Sequence, residues 1–373
     1  KIPEEGEFEQ LEYLNRLKIS ASSSFISEIN ERMIVFDTEW KNQLVYTLFD
    51  TARVGLQDRV KKFIDNLSDT DEIAKFIQDT QTWLASQITH SCLQLKKYLE
   101  TSLVVQEGLK TVWQEIAKIL NDVDVNNMQL IFVISRLCYD LADNSIFEVY
   151  STFSHEFYST GFRAPIHQAL LVDVNAVVER FSKVGQALIN RQMIQDGYRI
   201  SCRLQEAYLQ RRPKELKEVS PILCKLLDRL GHVESTMRSV FPSSSSVLES
   251  SVPDLGRFGM DTMMNSIDKL FAERMDIYRQ VEPTPTAVYQ GLLIMMLKSL
   301  LEVTRMIQMD TVNFQQIQLD VEYIGQRVWP LAGDRKWTTT LLQEVVSSAY
   351  SRCKAPQRLN SNELEMILAL INK

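Results

Sequence analysis

The fold is decided by LLVDVNAVVERFSKVGQAL, residues 170–188, in which apolar side chains recur at helical spacing. The apolar positions are separated by four, three, four, three and four residues: Leu170, Val174, Val177, Phe181, Val184 and Leu188. A helix with 3.6 residues per turn brings such positions to one side. The strict seam lapses at Arg191 and Gln195, which favours a seam inside a helical bundle over a free coiled coil. We expect the helix to continue to Tyr208.

The rest of the chain repeats this periodicity and contains few residues that break helices. Glycine and proline supply 12 and 10 of 373 residues, about half of their average share of roughly 12%. A sheet-rich protein needs a turn signal about every 8–12 residues, yet no proline occurs between Pro3 and Pro165. The sequence therefore predicts an all-α fold.

Two stretches of turn-forming residues predict the organisation of the chain. Prolines and charges within 211–221 predict a connection between an N-terminal bundle region, 1–212, and a C-terminal bundle region, 220–373. Serines, prolines and glycines within 241–259 predict a mobile loop. Ser220 and Thr284 each precede a proline and are predicted helix N-caps.

Individual helices are also readable from the spacing of apolar residues. The segment 285–307 is apolar on much of its circumference, so we expect it to be central. Its longest uninterrupted apolar run, Leu292–Leu297, is far shorter than the roughly 18–20 residues of a membrane span. Gly108 is a candidate break within a long helical pattern, and three helices are predicted over Val312–Val328, Trp337–Cys353 and Ser361–Ile371.

Charge and cysteine usage limit the classes of partner. The net charge of −7 and the pI of about 5.4 oppose binding to phosphate backbones, so we expect no nucleic-acid partner. Five widely spaced cysteines are typical of reduced thiols in a cytosolic protein. Because the sequence begins with Lys1, we expect it to be a piece of a longer chain.

No common catalytic or metal-binding motif occurs in the chain. CxxC, HExxH, GxSxG and GxxxxGK[ST] are all missing, so we expect no enzyme, no cofactor and no catalytic, cofactor-binding or metal-binding residue. His90 and Cys92 are two residues apart, which places them on different helix faces. Ser154-His155-Glu156 has the residue types of a hydrolytic triad, but adjacent positions do not converge on one reacting atom. The motif at 256–259, GRFG, is interpreted as a loop rather than a nucleic-acid clamp.

Two further segments leave a structural and a functional interpretation open. The basic stretch from Arg199 to Lys217 has the charge to contact anionic lipid, although interspersed glutamates favour a solvated face. The methionine-rich helix of 260–275 has the composition of an adaptable partner groove, although core filling is favoured.

The end of the chain carries a family resemblance. It reads LDVEY at 319–323, Trp329, LLQEVVSSA at 341–349 and Arg352-Cys353. This pattern resembles the C-terminal region of the family of fifty-one subunits of the Golgi-associated retrograde protein complex (GARP/EARP), one of the CATCHR-type tethers. The resemblance implies an elongated stack of helical bundles without catalytic residues.

The same resemblance implies a subunit of a vesicle-tethering complex in endosome-to-Golgi retrograde transport. Its expected partners are the other tethering-complex subunits, with SNAREs and small GTPases as further candidates, and its expected location is the cytoplasmic face of the trans-Golgi network and endosomes, reached through partners. Subunits of this family join through helices near their N-termini, so we expect residues 1–373 alone to be monomeric. The alternatives are a cullin-like adaptor and a small-GTPase regulator, for which Arg163 is the candidate arginine.

Overall fold

The computed structural model describes residues 23–65, 70–96, 102–123, 127–158, 165–210, 218–241, 281–331 and 335–371. Every regular element in these ranges is a helix, which confirms the all-α prediction. The α-helices, numbered in chain order, are α1 (Ser23–Asp65), α2 (Thr70–Lys96), α3 (Ser102–Asn121), α4 (Met128–Asp140), α5 (Ile146–Tyr158), α6 (Pro165–Gln210), α7 (Pro221–Val240), α8 (Pro285–Met306), α9 (Thr311–Val328), α10 (Arg335–Arg352) and α11 (Ser361–Ile371). A π-helical turn, Leu141–Ser145, lies between α4 and α5.

The described residues pack as two compact units. The first comprises those within Lys1–Val125 together with Val133–Gly185, and the second those within Asn126–Phe132 together with Gln186–Lys373. The change of unit near residue 185 falls inside α6 rather than at the predicted connection. The division into bundle regions 1–212 and 220–373 stays a prediction, because a compact unit is not by itself an independently folding region.

In the first unit, α1 packs against α2 and α3, and α2 also packs against α5. The predicted break at Gly108 is wrong: α2 ends at Lys96, α3 begins at Ser102, and Gly108 lies within α3. A Cβ atom at Gly108 would overlap with Cγ1 of Val45 on α1. The glycine is therefore required by the close approach of α1 and α3.

Four of the six predicted seam positions are buried within the chain, whereas Val184 is half-buried and the side chain of Leu170 lies outside the described part. The side chains of Val174, Val177, Phe181 and Leu188 are at most 3% exposed. Phe181 meets the indole of Trp113 edge to face, with ring centroids 5.7 Å apart. This burial confirms the prediction of a bundle seam, and α6 continues to Gln210 as expected.

In the second unit, α8 packs against α7 and α10, and α9 packs against the same two helices. Of the described helices, α8 is the one long and apolar enough to cross a membrane by length and composition. However, 61% of its most apolar window is buried inside the protein, as in the core helix of a bundle. The prediction that this segment is central is confirmed.

Of the two predicted N-caps in the second unit, Thr284 forms a capping hydrogen bond and Ser220 does not. Thr284 caps α8 by accepting a hydrogen bond from the Ala287 amide at 3.2 Å. Ser220 precedes α7 with Pro221 in the first turn, but its side chain makes no capping hydrogen bond. The predicted loop beyond Phe241 and the methionine-rich segment 260–275 lie outside the described residues.

Candidate functional site

The LDVEY segment at 319–323 places a carboxyl group inside the second unit. Asp320 is completely buried on α9, with the apolar side chains of Ile317 and Ile324 buried on the same helix. These neighbours lie three residues before and four residues after it, so the carboxyl group occupies the apolar face of an amphipathic helix. A charge in such a position requires hydrogen-bond donors from the surrounding elements.

Four hydrogen bonds surround the Asp320 carboxyl group. The hydroxyl of Tyr208, near the end of α6, donates to Oδ2 at 2.6 Å. The backbone amide of Ser220 donates to Oδ1 at 2.8 Å, and its hydroxyl donates to Oδ2 at 2.5 Å. Gln316, one turn earlier on α9, donates to Oδ1 at 3.0 Å and to the carbonyl of Glu218 at 3.1 Å. We call these residues the Asp320 cluster.

The Asp320 cluster explains why Ser220 is not a side-chain cap. Its hydroxyl donates to the carboxyl group rather than accepting from the first turn of α7. Burial raises the pKa of Asp320 above its ordinary value, and the hydrogen bonds from Ser220, Tyr208 and Gln316 oppose that rise. The cluster is therefore suited to holding α6, α7 and α9 together.

Tyr323 makes a second contact between α9 and α7. Burial and a hydrogen bond with Cys224 raise the pKa of the phenol to about 12. Tyr323 therefore stays neutral near pH 7 and acts as a packing and hydrogen-bonding group.

Two further polar clusters join helices within single units. In the first unit, Asp173 accepts hydrogen bonds from Gln106 at 2.7 Å and from Lys110 at 2.9 Å. The hydrogen bond to Asp173 is the main cause that raises the pKa of Lys110, which therefore stays charged. In the second unit, Asp196 accepts from Gln192 at 2.7 Å and from Arg229 at 3.1 Å. Each cluster fixes the position of α6 against a neighbouring helix.

The His90/Cys92 pair and the Ser154-His155-Glu156 run do not form a metal-binding or catalytic site in the described residues. Within that part of the chain, no group of three or more His, Cys, Asp or Glu side chains is placed to hold a metal ion. His90 is exposed while Cys92 is 3% exposed, and burial raises the pKa of that thiol to about 12. His155 is 83% exposed and lies 3.6 Å from the carboxylate of Glu156. Arg163 lies outside the described residues, as does the GRFG segment.

The basic stretch is only partly within the described residues. Arg199 is 58% exposed and lies 3.7 Å from the carboxylate of Asp196. Residues 211–217 lie outside the described ranges. Contact of Arg199–Lys217 with lipid therefore stays a hypothesis.

Sequence reasoning used the 319–323 segment for a resemblance but missed the buried carboxyl group within it. The available signal was an aspartate between Ile317 and Ile324 on an apolar helix face, with Gln316 one turn before it. Its partners Tyr208 and Ser220 are about a hundred residues earlier in the chain, so periodicity alone does not identify them.

The fold and these clusters define a class: an all-α bundle protein in which buried or half-buried aspartates join neighbouring helices. Comparison with known proteins then gives the particular relatives, each called vacuolar protein sorting-associated protein 51 homolog. The chain is 26% identical to the Danio rerio protein over 262 residues, which is 64% of this chain and 31% of the relative. It is 37% identical to the Gallus gallus protein over 109 residues, 29% of this chain and 14% of the relative.

A plant relative extends this similarity. The Arabidopsis thaliana protein of the same name is 34% identical over 85 residues, 23% of this chain and 11% of the relative. No protein-family model matches the chain, and no solved structure matches it significantly. The resemblance to the fifty-one subunit, inferred from the end of the sequence, is confirmed. The chain spans about a third of the length of the first relatives it matches.

Proposed function

We propose that the chain is part of a non-catalytic subunit of a multisubunit vesicle-tethering complex that acts in endosome-to-Golgi retrograde transport. The observation that carries this proposal is the similarity to vacuolar protein sorting-associated protein 51 homologs of animals and a plant. The helical bundles support it, because the resemblance to the fifty-one subunit implies that architecture. The two compact units supply helical surfaces on which partner chains can pack.

The proposed partners are the other subunits of the tethering complex, with SNAREs and small GTPases as further contacts. The protein acts peripherally at the trans-Golgi network and endosomes, and it reaches these membranes through its partners. The apolar helix α8 does not argue for insertion, since most of its apolar window is buried among α7 and α10.

Affinity isolation of the tagged full-length protein from cells of its source, followed by mass spectrometry, tests the proposal. The expected result is enrichment of the remaining tether subunits over a control bait of similar size and the same tag. Isolation of a RING protein with ubiquitin-ligase components would instead support the cullin-like adaptor. A nucleotide-dependent GTPase without tether subunits would support the GTPase regulator. Either of these results would refute the tethering role.

A further inference from the structure

A groove of about 610 Å³ lies between α1 and α3 in the first unit. One edge is a row on α1 formed by Tyr46, Asp50 and Arg53, which are spaced by four and three residues and therefore share a helix face. Tyr46 is 62% exposed. The α1 side of the floor is formed by Val45 and Phe49.

The opposite edge is a row on α3. Glu107, Thr111 and Glu115 are spaced by four residues and extend along about 12 Å of the helix. Gly108 and Val112 lie beside this row in the groove. The absence of a side chain at Gly108 brings α1 close to α3, so the groove has an apolar base between two polar rows.

The charges of the two rows are unequal. Asp50, Glu107 and Glu115 carry three negative charges, whereas Arg53 is the one cation lining the described groove. The guanidinium of Arg53 lies 2.6 Å from the carboxylate of Asp50, so its charge is already compensated by that side chain. The α3 row therefore presents two carboxylates, Glu107 and Glu115, beside an apolar base.

From this geometry we propose that the groove binds an amphipathic basic helix contributed by another chain. An apolar stripe at positions i, i+3, i+4 and i+7 fits an apolar groove of about two helical turns. Lysine or arginine on the flank of such a helix would face Glu107 and Glu115. An acidic helix would meet like charges there, so charge complementarity favours a partner helix with positive charge.

This proposal does not depend on the tethering function. It concerns one face of the first unit, and its test uses the whole chain and a synthetic peptide. Failure of the peptide to bind leaves the tethering proposal intact, and isolation of tether subunits does not by itself establish the groove as their contact.

The probe is a fluorescent peptide of leucine and lysine at helical spacing, about 14 residues or roughly 21 Å long as a helix. A matched peptide carries glutamate in place of every lysine. Fluorescence polarisation with residues 1–373 is expected to show saturable binding of the lysine peptide and binding at least about tenfold weaker for the glutamate peptide. Equal binding of the two peptides, or binding of neither, would overturn the proposal.

Variants locate the binding face. The double variant Glu107→Lys with Glu115→Lys is expected to weaken binding of the lysine peptide about tenfold, because two exposed attractions become repulsions. Tyr46→Ala is expected to weaken binding several-fold through lost apolar contact.

Controls are matched by residue type and exposure. Glu148→Lys on α5 reverses an exposed charge outside the groove, and Tyr198→Ala removes a tyrosine that is 71% exposed on α6. Both are expected to bind the lysine peptide as the unmodified chain does, with unchanged circular dichroism. Glu148→Lys changes the net charge by half as much as the double groove variant. If it loses about half as much binding free energy as the double variant, or if Tyr198→Ala loses as much as Tyr46→Ala, the binding is a general attraction to an acidic protein and the proposal is wrong.

Discussion

Replacing Asp320 with alanine removes the acceptor of four hydrogen bonds at one buried position. A hydrogen bond to a charged group contributes about 1.5–3 kcal/mol, so four would total more than about 6 kcal/mol. Relief of the cost of burying a carboxylate offsets part of this loss. We expect Asp320→Ala to lower the free energy of unfolding by about 3–4 kcal/mol.

Asp320→Asn separates the loss of the charge from the loss of the acceptor. Its remaining oxygen can accept from the Ser220 amide and Gln316, and its amide group can donate to the hydroxyls of Tyr208 and Ser220 after they rotate. We expect Asp320→Asn to lower the free energy of unfolding by about 1 kcal/mol. The control is Asp228→Ala, which removes a side chain that is 67% exposed and paired with Arg327, and is expected to cost at most about 1 kcal/mol.

Urea unfolding, monitored by circular dichroism, measures the free energy of unfolding of Asp320→Ala, Asp320→Asn and Asp228→Ala. Hydrogen exchange of α7 and α9, with α3 as the reference in the other unit, measures where protection is lost. A structural role of the Asp320 cluster is refuted if Asp320→Ala lowers the free energy of unfolding no more than Asp228→Ala does, or if protection falls equally in α3. A loss in Asp320→Asn equal to that in Asp320→Ala would show that the charge, rather than the hydrogen bonding, matters.

The pH dependence of this cluster has a defined sign. Because burial raises the pKa of Asp320 in the folded protein, the folded state holds the proton more tightly than the unfolded state. The Asp320 contribution to stability is therefore largest below the unfolded pKa of about 3.9 and falls as the pH rises through the folded pKa. The stability of the unmodified chain relative to Asp320→Asn should decrease from pH 4 to pH 7. An increase over this range would contradict the direction of the shift.

Three other predictions follow from the packing and from the proposed function. Gly108→Ala should lower the free energy of unfolding in urea by about 1–2 kcal/mol, because the new Cβ atom meets Val45 and overpacking outweighs the gain in helix propensity. A Cβ atom at Gly231 would have nothing within 4 Å, so Gly231→Ala should raise the free energy of unfolding by about 0.5–1 kcal/mol. Equal effects of the two substitutions would contradict this expectation. Arg163→Ala should leave GTP hydrolysis by candidate GTPases unchanged, and a loss of measurable stimulation would favour the GTPase regulator. Residues 1–373 should be mainly monomeric by light scattering, because the seam of α6 is already buried, and an obligate oligomer would contradict this.

The sequence was sufficient to predict elements whose signals are local. The bounds of α9, α10 and α11 agree with their predicted positions within two residues at each end, because apolar spacing and capping residues act over one or two turns. The burial of α8 was predictable from its nearly continuous apolar surface. Gly108 was misread, since a glycine in a helical pattern signals either a break or a close approach, and only the position of Val45 distinguishes the two.

The polar clusters were not predictable because they join distant segments. Tyr208 and Asp320 are separated by 112 residues, and Ser220 and Asp320 by 100. Periodicity identifies the buried face of each helix but not the helix that covers it. A capping preference was therefore assigned to Ser220 from its local sequence, while the fold directs its hydroxyl to a distant carboxyl group.

The structure gives a physical reason for the aspartate-x-x-tyrosine spacing on which the family resemblance was based. Asp320 and Tyr323 lie three residues apart on α9 and so share one face. Their partners lie at the N-terminal end of α7: Ser220 immediately precedes the helix and Cys224 lies in its first turn. Both residues therefore face the N-terminal end of α7, and sliding either helix by a turn would break the hydrogen bonds between Asp320 and Ser220. Because a buried polar group adds little net stability but penalises wrong pairings, we infer that this spacing sets the register between the two helices.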